Sequence, residues 1–465
     1  MAPSLGSSVA VALSYFLGCG TPLHSVWAAE VDAKWYAPSK NQVNDLETVP
    51  TATGVYGFIF NSSQTPDNDY GVYNWCNMPH VRRTEYVRPS AEYELKYVEL
   101  IHRHHKRTPY SSNAFPEESY HWNCDDSMLH YYGQPVSGLN ADRIYQQGYI
   151  SSVNPFVPSG WIGTCKFPQI TAEGLVDSWQ HGADLYAVYH DLLGFLPPRG
   201  SSSLPPSVKY RVTNNLITSQ VVGMVINAMW HITEPVPILV QAQGIDSLEP
   251  QYQCKATSDL FSTIQSKSNP KWRQHLDLSA DLFRTLDGIS GVPPSDGDFH
   301  KSFDAYYDNL SARQCHAKPL PCKILNGRNN TDCVSQQLAD AVYRWGNWEY
   351  SQIYRDNYSS LDASSGSFGV WIAELAANIR DVIAATASSY CYQLATAAVS
   401  WPSQCGGNGL SANYYVRVLF GGQIMRSSTP ALGFMDMIPI EQLLSYFEGL
   451  IGRNASKIKA KCSGN

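Results

Sequence analysis

Residues Val98 to Pro109 read VELIHRHHKRTP, a short apolar run followed by three histidines, two arginines, a lysine and then a proline. The apolar run, with YELKY before it, suits a buried strand, and the proline breaks it. Basic residues directly after such a strand sit at its carboxyl end, where open α/β sheets bind ligands. The whole chain carries net charge -7, so this positive cluster is local. It is either a solvated turn or the floor of an anion site. A metal site is a third reading, because His102 and His104 share a face of an extended strand. The flanking arginines repel a divalent cation, so no metal is expected here.

The rest of the composition narrows the possibilities. Hydrophobic residues make up 43% of the 465 and charged residues only 16%, which describes a packed globular protein. The acidic balance argues against nucleic acid as a partner, since that requires a broad basic face. No apolar run reaches the roughly 20 residues of a membrane span.

The amino terminus reads as an export signal over residues 1–28. Val9–Cys19 is an apolar core of suitable length, and Val26–Ala28 places small residues around a cleavage point. No Lys or Arg precedes that core. Ten cysteines follow Cys19, none in a CxxC pair, which favours disulfides over zinc without fixing the pairing. Sequons at Asn61, Asn309, Asn329, Asn357 and Asn454 suggest N-glycans on a secreted, extracellular chain.

Further along, 114–170 is rich in Tyr, Trp, Ser, Gly and Pro and predicts long ordered loops or an insertion. A helix capped by Thr171 is expected, with Leu185, Val188, Tyr189 and Leu192 at helical spacing and Pro197 beyond its end. Ser207–Asn215 alternates like a strand and ITSQVVGMVINAMW predicts a buried helix. Leu276–Trp348 is mainly helical with a cysteine-bearing loop near Cys322. A helix at Trp371–Ser389, a hairpin through Gly421 and Gly422, and a closing strand and helix complete the pattern.

The stretch Arg103-His104-His105-Lys106-Arg107-Thr108-Pro109 resembles the R-H-G-x-R-x-P motif of the histidine acid phosphatase family, with His105 in the glycine position. HRHHKRTPY, FPQIT, HGADLYAVYHDLLGFLP, RVTNN, DSLEP and YYVRVLFGGQIMRSS are similar to fungal secreted members, so the resemblance covers most of residues 29–465. It implies a phosphoglycerate mutase-like three-layer α/β sandwich. This would have a mainly parallel sheet and a helical cap inserted at roughly 114–170 and 250–345. It also implies a secreted acid phosphatase that hydrolyses small phosphomonoesters without cofactor or metal. Carried over by motif, His104 is the nucleophile that forms a phosphohistidine, and Arg103, Arg107 and Arg211 bind phosphate.

The physics is coherent with that implication. A phosphomonoester carries close to two negative charges, and planar guanidinium groups neutralise and orient it. Neighbouring cations hold an imidazole neutral and nucleophilic in mild acid. His102, His181 and His190 are more naturally structural. His105 adds a side chain where the family leaves room for backbone, either narrowing the pocket or adding a donor.

One family element is missing. A late His-Asp pair, whose Asp protonates the departing alcohol, should fall before Tyr414, yet Ala384–Asn413 contains no histidine and no acidic residue. Asp436 lies downstream of where the pair belongs, and no spacing singles out Glu118 or Asp125. Either the chain is a degenerate phosphatase-like protein that binds phosphorylated ligands, or a shifted frame or missed splice has altered this stretch.

Overall fold

The computed structural model describes residues 33–55, 76, 79–127, 129–131, 144–146, 148–149, 151, 153–157, 159–200, 205, 207–232, 234–397 and 413–463, with the backbone alone of 11–18, 129–131, 146, 386–397 and 413. Asn61 and residues 398–412 lie outside the described residues.

The chain is mixed α/β with several small sheets. Its main sheet takes β1 (Val11–Gly18), β2 (Tyr93–Ile101), β9 (Asn413–Phe420), β10 (Gln423–Ile424) and β11 (Ile438–Pro439). β1 pairs antiparallel with β2 from Val11↔Ile101 to Gly18↔Tyr93, and antiparallel with β9 from Val11↔Phe420 to Gly18↔Asn413. A bulge interrupts the β1–β2 ladder between Tyr15 and Phe16, opposite Lys96. It changes the facing of β2, so Tyr97 points to one side of the sheet while Leu95, Val98 and Leu100 face the other.

The expectation of a mainly parallel sheet is corrected here. β2 and β9 run parallel to one another but do not pair. The apolar run read as an export signal supplies β1 between them in the opposite sense, which makes every pairing in this sheet antiparallel. A parallel pairing occurs between β5 (Tyr210–Val212) and β6 (Ile238–Val240). Two further hairpins, β3–β4 (Leu129–Tyr131, Ile144–Gln146) and β7–β8 (Cys322–Leu325, Arg328–Cys333), are separate antiparallel pairs.

On one face of β2 lie α1 (Ala172–Tyr186) and α2 (Leu216–Trp230). The Thr171 hydroxyl accepts from Gly174 N and starts α1, and the Asn215 side chain accepts from Ile217 N to start α2. α1 runs on into a π-helical turn at Ala187–Leu192 before the prolines. Ile217, Val221, Val222, Val225, Ile226, Met229 and Trp230 of α2 are buried, each such side chain contributing about 1.5–3 kcal/mol relative to exposure. Opposite them, α8 (Ser360–Ala397) and α9 (Ile440–Ile451) pack on Tyr414, Val416 and Val418. The short α10 (Ser456–Ser463) follows.

A second core belongs to the helices α3 (Lys255–Ile264), α4 (Pro270–Leu278), α5 (Ala280–Ser290), α6 (Asp304–Cys315) and α7 (Gln336–Ser351). Trp272, Phe283, Phe303, Tyr306, Tyr343 and Trp348 fill it, joined by Phe115 from the long 114–170 segment. The cysteine-bearing loop expected near Cys322 is the β7–β8 hairpin, closed by Cys322–Cys333. Disulfides Cys76–Cys315, Cys124–Cys165 and Cys254–Cys462 bind distant segments together. Such bonds persist in oxidising compartments, which fits an extracellular protein. Among the described residues no helix is long and apolar enough to cross a membrane.

One glycosylation expectation is corrected. Asn309 is 1% exposed, its amide donating to Asn113 O and its carbonyl accepting from Arg313 Nε, so that sequon is closed in the folded chain. Asn329 and Asn454 are exposed.

Candidate active site

β2 ends at Ile101, and the backbone then makes the turn that carries the basic cluster. Residues 169–171 stitch it in place: Thr108 N donates to Gln169 O at 2.9 Å, Gln169 N to Thr108 Oγ1 at 3.0 Å, and Thr171 N to Lys106 O at 3.4 Å. Gly174 makes this approach possible, since a Cβ there would stand 2.0 Å from Lys106 O. Thr171 also bonds His316 Nε2 at 2.8 Å, while His316 Nδ1 donates to Ala312 O, so the turn, α1 and the end of α6 are fixed together. Burial pulls His316 down to about 4, which keeps that ring neutral and able to accept from the Thr171 hydroxyl.

At the centre stands His104. Its Nδ1 lies 2.8 Å from His105 O, an acceptor only, so Nδ1 carries the proton and Nε2 holds the lone pair. Arg103 Nε and Arg107 Nε both donate to that Nε2, each at 3.3 Å. These bonds are long, so the lone pair is flanked by cations yet lightly held. Burial first, then Arg103 and Arg107, lowers the His104 pKa well below the ordinary value.

Arg103 and Arg107 line a cleft of about 360 Å³ including its open mouth, together with Tyr110, Asn113, Asp304, Asp308 and Tyr350. The cleft therefore lies between the turn after β2 and helices α6 and α7. Asp308 Oδ1 meets Arg107 Nη1 at 2.9 Å, and its Oδ2 accepts from Tyr110 N and Asn113 Nδ2, each at 2.9 Å. Arg107 also lies over the Tyr110 ring at 4.2 Å. Asp304, one helical turn before Asp308, accepts from the Tyr350 hydroxyl at 2.9 Å. Burial, with Asp308 and Glu349 nearby, pushes Asp304 up to about 6 against the opposing effects of Tyr350 and Arg107.

Arg211, like His104 itself, is not among the residues lining this cleft. Its Nη1 donates to Glu374 at 2.7 Å, and its Nη2 donates to Gln241 at 2.7 Å, Ser247 at 2.8 Å and Asp246 at 3.2 Å. Arg103 and Arg107 thus reach His104 Nε2, while two acids, an amide and a hydroxyl hold Arg211.

His105 neither narrows the cleft nor donates into it. It is 4% exposed, and its Nε2 pairs with His181 Nδ1 at 3.2 Å. The His80 ring stacks on His181 at 4.3 Å and His102 meets its face edge-on at 4.7 Å, forming a buried imidazole cluster behind the turn. His190 stays outside, bonded to Asp191 and stacked on Tyr186. Lys106 turns into the protein, 3.0 Å from buried Asp177. Asp436 is held by Arg417 at 2.6 Å and Glu118 is paired with Arg313. Among the described residues no group of three His, Cys, Asp or Glu is arranged to hold a metal.

Sequence reading overlooked Asp304, Asp308 and Tyr350. The available signal was the pair of acids four residues apart in DAYYD, which share one face of a helix. That spacing is common, and only the packing of α6 on the turn after β2 gives it meaning. The chain matches no family model and no curated protein.

Proposed function

We propose that this protein is a secreted acid phosphatase that hydrolyses small phosphomonoesters through a phosphohistidine on His104. The observation that carries the reading is the lone pair of His104 Nε2, set between two guanidinium groups beside the cleft while Nδ1–H is spent on a carbonyl. Phosphoryl transfer needs little covalent chemistry from a protein beyond a placed nucleophile and neutralised charge. Arg103 and Arg107 supply the charge and the imidazole supplies the nucleophile. A three-layer phosphoglycerate mutase-like sandwich fits the two apolar clusters on opposite faces of the sheet. Export in an oxidising compartment fits the four disulfides.

A second reading, a non-catalytic binder of phosphorylated ligands, draws on Ala384–Asn413, where neither histidine nor acid occurs, and on the acids that hold Arg211. Hydrolysis of a chromogenic phosphomonoester near pH 5, beside a His104→Ala control, separates the two. Turnover lost in the variant supports the phosphatase. Phosphate-induced thermal stabilisation with no turnover supports the binder.

A further inference from the structure

We propose that Asp304 is the proton donor to the leaving alcohol, standing in for the acid that the late part of the chain lacks. The inference rests on the phosphohistidine reading above. It starts from the fact that two carboxylates enter the same cleft from one face of α6 and meet opposite surroundings.

Asp308 is fully committed. A guanidinium, a backbone N–H and a side-chain amide all donate to it, so both of its oxygens are engaged and it orients Arg107. Among the described residues no salt bridge to Asp304 is seen. It accepts from the Tyr350 hydroxyl, lies within the field of Asp308, and lines the cleft beside Arg103 and Arg107. Burial and the neighbouring Asp308 push Asp304 toward holding its proton, while its place on the cleft wall sets that proton where a leaving group would stand. The groups facing Asp304 are Asp308 on its own helix, Tyr350 and Glu349 on α7, Tyr354 just beyond α7, and Arg107 from the turn. Glu349 is itself held by His275 at 2.8 Å and by Phe303 N, so it does not compete for the cleft.

In the first step the His104 Nε2 lone pair forms a bond to phosphorus and the P–O bond to the alcohol breaks. That bond's electron pair stays on the alcohol oxygen, which takes the Asp304 proton and leaves as a neutral alcohol. Asp304 is now a carboxylate. In the second step water attacks phosphorus and Asp304 takes a proton from it. The P–N bond breaks with its pair returning to Nε2, and hydrogen phosphate departs. Proton and electrons balance, and both the nucleophile and the acid are regenerated.

The test exploits leaving-group quality. Glycerol phosphate releases an alkoxide that needs protonation, whereas nitrophenyl phosphate releases a stabilised phenolate that does not. Asp304→Asn should lower kcat/KM, which reports the phosphorylation step alone, by about 10²–10⁴-fold on glycerol phosphate and by less than about tenfold on nitrophenyl phosphate. Asp304→Glu, which keeps an acid, should recover part of the loss on glycerol phosphate. In the unmodified protein kcat/KM for glycerol phosphate should fall as pH rises through about 6, where Asp304 gives up its proton. That fall should be much weaker with nitrophenyl phosphate. Should the Asn variant fail to fold, this two-substrate profile still decides. Equal losses on both esters, or identical profiles, overturn the assignment of Asp304 while leaving the nucleophile intact. Activity unchanged by His104→Ala, or none in the unmodified protein, overturns the phosphohistidine reading instead.

Discussion

Arg107 Nε donates to His104 Nε2 across 3.3 Å while the same guanidinium meets Asp308 at 2.9 Å. Asp308 therefore fixes the plane of the fork, and the fork presses its charge on the His104 lone pair. Arg107→Lys keeps the charge but loses the planar, multiply donating geometry. We expect kcat/KM for a phosphomonoester to drop about 10²–10³-fold, the usual cost of one lost donor to transition-state charge. A loss of less than about fivefold would contradict this account of Arg107.

Arg211 behaves differently. Asp246 is 0% exposed and relies on Arg211 for its charge partner, with Glu374 sharing the same guanidinium. Arg211→Ala leaves a buried carboxylate uncompensated, which costs about 3–5 kcal/mol. The expected result is a clear fall in the urea midpoint with KM for phosphate esters little changed at temperatures where the variant is folded. A large rise in KM with unchanged stability would place Arg211 in the phosphate pocket after all.

Gly174 ties the helix start to the catalytic turn. Gly174→Ala sets a methyl group 2.0 Å from Lys106 O, between two backbones that neither rotamer change nor solvent can relieve. The expected cost is about 1–3 kcal/mol of stability, typical of overpacking. Activity should fall as well, because Lys106 lies between His104 and Arg107. Unfolding curves and kcat together check it. Unchanged activity would mean that the turn absorbs the shift without moving His104.

Acid stability follows from the imidazole cluster. Burial, then neighbouring positive groups, lowers the pKa of His105 and His181 well below the ordinary value; burial also lowers that of His102. Unfolded histidines titrate at about 6.5, so below that pH they bind protons that His102, His105 and His181 refuse in the native state. The stability from this cluster is complete above about pH 7 and declines as pH falls through 6.5, by up to about 1.4 kcal/mol per pH unit for each histidine. Urea midpoints at pH 7.5, 6.5 and 5.5 should fall in that order. Midpoints that hold level or rise toward acid would contradict the cluster's neutrality.

Much of this architecture is visible in local sequence. Thr171 caps its helix where expected, α2 is apolar nearly all round and buried, and Gly421–Gly422 turns the β9–β10 hairpin. These features depend on residues a few positions apart. The departures all depend on distant partners. His105 and Lys106 sit in the basic run but leave the cleft, because His181 and Asp177 on α1 offer buried partners. Arg211 lies within β5, and Glu374 reaches it from 163 positions away. The sheet is antiparallel because a strand from the amino terminus lies between β2 and β9, an arrangement that no local pattern encodes. That same segment reads as an export signal, and in a single mature molecule it cannot be both removed and paired.

The most direct measurement of the central claim is to quench the protein during turnover of a phosphomonoester under alkaline conditions and locate the phosphoryl group by peptide mass spectrometry. The account predicts one added phosphoryl group on His104 of the peptide bearing Arg103 and Arg107, lost on acid treatment and absent from His104→Ala. Turnover with that peptide unmodified, or with the phosphoryl group on another residue, would contradict it.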